Sequence, residues 1–122
     1  MLQIMPQLQI LLCYEPIDFR LGLDRLSALC RSWGQNPYSG QVFVFRNRRG
    51  TALKIFTYDG VGHYLALRRF CQGSLCWWPK KSDQPLTPLA AQQLQILLYQ
   101  GNPDTARFAP DWRKLTVSEI NK

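Results

Sequence analysis

From residue 42 the chain reads Val42-Phe43-Val44-Phe45-Arg46-Asn47-Arg48-Arg49-Gly50-Thr51-Ala52-Leu53-Lys54-Ile55-Phe56-Thr57-Tyr58. Two runs rich in β-branched and aromatic residues flank a short polar segment that ends in glycine, the pattern of paired strands across a tight turn. The strands are Val42 to Phe45 and Ala52 to Tyr58, and the turn carries Arg46, Arg48 and Arg49. Guanidinium groups placed at the end of a sheet reach phosphate or carboxylate readily.

Working outward, Asn36-Pro37-Tyr38-Ser39-Gly40 is a turn that leads into this hairpin. Asp59-Gly60-Val61-Gly62 turns the chain into a third strand, His63 to Phe70, and Gln72-Gly73-Ser74 turns it again into Leu75 to Trp78. Upstream, Leu8 to Tyr14 has strand composition between Pro6 and Pro16. Phe19, Leu23, Leu26, Cys30 and Trp33 follow the helical period, with Asp18 as the expected N-cap and Gly34 as the end. Arg20 and Asp24 are spaced to pair along that helix. Thr87 as N-cap and Pro88 at the first helical position predict a second helix to about Gln100, with Gly101 as its stop. The fold class is therefore α+β: an antiparallel β-meander of four to five strands packed on an N-terminal helix, plus a C-terminal helix. Residues 1–101 form one domain, and 102–122 a mobile or loosely docked tail.

Alternation along the strands sets Leu53 and Ile55 against Lys54, Phe56 and Tyr58, and Leu65 and Leu67 against Tyr64, Ala66 and Arg68. This predicts one aliphatic face and one aromatic, basic face. The second face reads either as a platform for unpaired bases or as a further core layer.

The 122 residues carry a net charge of +7, with 46% hydrophobic and 19% charged content, ordinary for a folded domain. Between Arg25 and Lys81 ten basic residues face a single acid, Asp59. That imbalance points to a polyanionic partner, nucleic acid first and an acidic protein or membrane surface next. Cys13, Cys30, Cys71 and Cys76 come without a secretory signal, so a cytoplasmic setting with free thiols is expected, and no stretch is long enough to span a membrane.

Catalytic machinery is not legible. The eight acids form no set able to hold paired metal ions, and His63 is the lone histidine. Cys71 and Cys76 with His63 supply at most three zinc ligands, so neither metal nor cofactor is expected.

Asp18-Phe19-Arg20, Gly22, Asp24, then Asn36-Pro37-Tyr38-Ser39-Gly40, the run Val42 to Gly50, Lys54, Asp59-Gly60, Arg68-Arg69, Trp78-Pro79 and Gln93-Leu94 with Leu97-Leu98 resemble the TnpB-type accessory proteins, the second reading frame, of insertion-sequence sixty-six elements. The resemblance covers Glu15 to about Gly101. It implies a small bacterial protein encoded beside a larger transposase and needed for efficient transposition; the missing catalytic set adds the expectation that it is not an enzyme. Combined with the basic centre, it predicts a non-catalytic DNA-binding factor whose contacts are Arg46, Asn47, Arg48, Arg49, Lys54, Arg68 and Arg69, with DNA and the transposase as partners. The alternative is an adaptor whose arginine turn docks an acidic surface of the transposase. Oligomeric state is not legible.

Overall fold

The computed structural model describes residues 9–80 and 83–104. Seven elements follow in order: β1 (Ile10–Cys13), α1 (Leu23–Ser32), β2 (Val42–Arg46), β3 (Ala52–Tyr58), β4 (His63–Arg69), β5 (Leu86–Leu89) and α2 (Ala91–Leu98). The strands form one sheet in the order β4-β3-β2-β1-β5.

The meander β2-β3-β4 is antiparallel, with Arg46 paired to Leu53 and Leu53 to Arg68. β1 departs from the expected pattern because it runs parallel to β2, with Ile10 beside Val42. A parallel neighbour needs a crossover, and α1 lies between β1 and β2 in the chain. The sheet is therefore mixed.

Its two faces carry separate cores. Ile10, Leu12, Val42, Val44, Leu53, Ile55 and Leu89 bury with Leu94 and Leu97 of α2. Leu11, Cys13, Phe43, Phe45, Phe56 and Leu86 bury with Leu26 and Cys30 of α1. Phe43, Phe45 and Phe56 are fully enclosed, each worth about 2–3 kcal/mol of transfer free energy. Phe56 is thus core, not a platform for bases.

Several boundaries differ from the sequence reading. Leu75 to Trp78 is not a strand: Leu75 N–H donates to the Gly50 carbonyl, and the indole N–H groups of Trp77 and Trp78 donate to the Asp104 carboxylate and the Cys13 carbonyl. The fifth strand is Leu86–Leu89, so Thr87 and Pro88 lie in β5 and α2 starts only at Ala91. Tyr14 N–H bonds the Pro85 carbonyl, so alternate residues 85, 87 and 89 face β1 and the Pro88 nitrogen faces the open edge. Proline costs no ladder bond there.

Helix α1 begins after Gly22 rather than at Asp18, whose carboxylate instead accepts the backbone N–H of Arg20 and its guanidinium. That commitment also takes Arg20 away from Asp24. The facing of the third strand is corrected as well: Lys54 pairs with Leu67 and Phe56 with Leu65, so both leucines share the aromatic face.

Helix α2 ends in a Schellman motif. Gln100 N–H donates to Leu97 and Gly101 N–H to Ile96, with Gln100 itself at φ 65°. The Gln100 side chain then donates to the Gln72 and Ser74 carbonyls, tying the loop after β4 to the end of α2. Pro103 is buried, whereas residues 105–122, most of the expected tail, lie outside the described residues.

A basic sheet end as the candidate nucleic-acid interface

Because β2 and β4 both run antiparallel to β3, their C-terminal ends lie at one end of the sheet. Arg46, Arg48, Arg49, Arg68 and Arg69 all sit there, although they are up to 23 positions apart in sequence. The topology gathers them; their side chains then take different roles.

The turn is shaped by Asn47 and Gly50. The Asn47 amide oxygen accepts the N–H groups of Thr51 and Ala52, its amide nitrogen donates to the Thr51 hydroxyl, and Gly50 N–H closes the turn on the Asn47 carbonyl. Gly50 has φ 69°, and a Cβ there would meet Leu75 and Ser74. Asn47 therefore builds the turn and has little left for a ligand. Arg48 and Arg49 occupy the exposed tip.

Between that tip and the β1–α1 loop lies a cleft of about 440 Å³, lined by Ile17, Asp18, Phe19, Arg20, Arg48 and Arg49. Three guanidinium groups thus border one opening. Arg20 is held by Asp18 at 2.7 Å, the one ion pair among the described residues. Its side-chain hydrogen bonds, then its backbone N–H, hold the Asp18 carboxyl down to about 2, below the ordinary 3.8. Among the described residues no carboxylate pairs with Arg48, Arg49, Arg68 or Arg69.

Lys54 does not join them. It is buried on the α1 side, where its ammonium donates to the Phe19 carbonyl at 2.7 Å and reaches the Leu21 carbonyl at 3.4 Å, with Nζ 5.1 Å from the centre of the Phe19 ring. Arg46 is half-buried, its guanidinium 5.5 Å from the Trp78 ring centre and its Nε enclosed without a hydrogen-bond partner among the described residues. Arg68 is exposed, yet its Nε donates to the Leu98 carbonyl and its guanidinium lies over Tyr99. Arg69, which pairs with Ala52, projects from the opposite face to Arg68. Of the seven residues expected to touch DNA, Arg48, Arg49 and Arg69 combine exposure with guanidinium groups that no described residue engages.

Sequence reasoning missed Arg20, Trp78 and Tyr99. The cue for Arg20 was its spacing of two from Asp18, the span of an Asx turn. The two aromatics carried no local cue, since each meets its arginine only through the tertiary fold.

No metal-binding group of His, Cys, Asp or Glu occurs among the described residues. Asp59 is occupied by its turn, where its carboxylate accepts the N–H groups of Val61 and Gly62, which lower its pKa. Cys13 and Cys30 are buried thiols, pushed up to about 11 and about 12 chiefly by desolvation, whereas Cys71 and Cys76 are exposed. No helix among the described residues is long and apolar enough to cross a membrane.

A small mixed sheet between two helices, with its unpaired cations at one end, defines a basic α+β domain. Residues 8–107 match the family model of the IS66 Orf2-like proteins, and the chain belongs to that family, the TnpB-type accessory proteins of insertion sequences. It is similar to the uncharacterized protein y4jC of Sinorhizobium fredii, 36% identical over 75 residues, or 61% of this chain and 64% of the relative. It is also similar to y4hO of the same bacterium, 43% identical over 63 residues, covering 52% and 53% respectively. The matches therefore span between half and two thirds of these relatives' length. No solved structure matches the chain.

Proposed function

We propose that this protein is a non-catalytic accessory factor of transposition that binds duplex DNA through phosphate contacts from Arg48, Arg49 and Arg69. The supporting observation is the turn tip itself, where two adjacent arginines are exposed, unpaired with any described carboxylate, and presented on a rigid turn. Contacts of this kind position a protein on the duplex without reading its sequence. Lys54 and Asn47 support the geometry rather than touch DNA, and Arg46 backs the turn through Trp78.

Mobility-shift titration of element-end duplexes with the wild type and the Arg48→Ala/Arg49→Ala variant tests this reading. The variant is expected to bind at least tenfold more weakly and with little sequence preference lost. Equal affinity would reject it. Loss of transposase co-purification from nuclease-treated extract, with DNA binding absent in both proteins, would instead assign the same turn to an acidic protein surface.

A further inference from the structure

Strand β4 forms an edge of the sheet, and its middle is apolar and uncovered. Leu65, Leu67 and Tyr64 are exposed by 38%, 53% and 44%, whereas the β3 residues opposite the leucines, Phe56 and Lys54, are buried. Long apolar edges are normally blunted by charge, proline or a bulge. Here seven residues pair with β3 without interruption and contain no proline.

The direction of the free backbone groups follows from the ladder. Phe70 N–H donates to the Thr51 carbonyl and Asp59 N–H to the Gly62 carbonyl, so even-numbered residues of β4 bond to β3. The N–H and C=O groups of His63, Leu65, Leu67 and Arg69 therefore point away from the sheet. The edge offers a complete row of donors and acceptors.

We infer that β4 pairs antiparallel with β4 of a second copy about a two-fold axis at Ala66, joining the two sheets into one of ten strands. In that register Leu65 of one copy lies opposite Leu67 of the other, so four leucines form one apolar patch on the α1 side. His63 lies opposite Arg69, and each such pair exchanges two bonds, giving about eight across the interface. Charge fits this occupant: no arginine meets an arginine, because Arg68 and Arg69 lie roughly 13 and 20 Å from their counterparts along the pairing. Arg68 falls opposite Tyr64 and is already held on its own chain by Leu98 and Tyr99. Such self-complementarity is what an isologous two-fold interface requires. The inference does not depend on DNA binding.

Light scattering coupled to size-exclusion chromatography tests it on the full chain. The wild type is expected at twice the 14.2 kDa chain mass. Leu67→Pro removes one outward N–H without touching the β3 ladder, and it should give a monomer with a native far-ultraviolet dichroism spectrum. Should that variant misfold, Leu65→Lys/Leu67→Lys places like charges in the same patch and should also be monomeric. A wild type that stays monomeric at every concentration tested overturns the inference, as does a folded, dimeric form of both variants.

Discussion

Replacing Lys54 with methionine separates a structural cation from a DNA-contacting one. Methionine keeps the apolar stem that crosses the core and removes only the ammonium. The lost interactions are one short charge-assisted bond to the Phe19 carbonyl, a long one to Leu21, and a cation–π contact with Phe19. A bond to a charged donor is worth about 1.5–3 kcal/mol, and the ring contact adds about 0.5–1 kcal/mol. Little is expected from the 3.4 Å bond, so Lys54→Met should destabilise the fold by about 2–4 kcal/mol. For a domain of this size that lowers the thermal midpoint by roughly 10–20 °C. Thermal melts followed by circular dichroism measure it, and DNA binding by the folded variant should keep its wild-type salt dependence. A variant as stable as the wild type whose log K falls less steeply with salt would refute the reasoning, because Lys54 would then be gripping phosphate.

Three further outcomes follow from other parts of the structure. The Asp18 carboxyl should titrate near 2 by NMR, and Arg20→Ala should return it toward 3.8; since its folded pKa is depressed, the stability this pair contributes is present above about pH 4 and is lost as the pH falls through 2. Native alkylation followed by mass spectrometry should label Cys71 and Cys76 and spare Cys13 and Cys30, all four reacting only after denaturation. Gly101→Ala should cost about 1–3 kcal/mol by chemical denaturation, because the new Cβ would lie 2.5 Å from Ile96 Cγ2 and 3.0 Å from its carbonyl oxygen.

The hairpins were legible because their signals are local. Asn47 to Gly50 and Asp59 to Gly62 announce their own turns, and the flanking apolar runs can only be strands. What lay beyond local reach was register and partner choice. Alternation sorts the residues of one strand into two faces, but only the ladder shows that Leu65 and Leu67 join Phe56 and Lys54. Pro88 misled for a related reason: after Thr87 it satisfies the rule for a helix start, yet an outer strand accepts it equally well once its nitrogen faces the open edge. The parallel placement of β1 beside β2 left no mark in either strand's composition.

The candidate site divided along the same line. The exposure of Arg48 and Arg49 was legible because a turn tip is exposed wherever the turn is packed. Lys54 alternates with apolar neighbours as a surface lysine would, and nothing in β3 foretells that the Phe19 and Leu21 carbonyls stand over it. Seven residues read as one DNA-binding set resolve into three free arginines, two arginines laid on aromatic rings, a turn-building asparagine and a core lysine. That division makes the expected salt dependence shallower than a count of basic residues suggests.

The slope of log K against log salt for duplex DNA therefore tests the central claim most directly. Three phosphates neutralised by Arg48, Arg49 and Arg69 give a slope near −2.7, roughly, and Arg48→Ala/Arg49→Ala should leave it near −1. Identical slopes for the two proteins would contradict the assignment of the arginine turn to DNA.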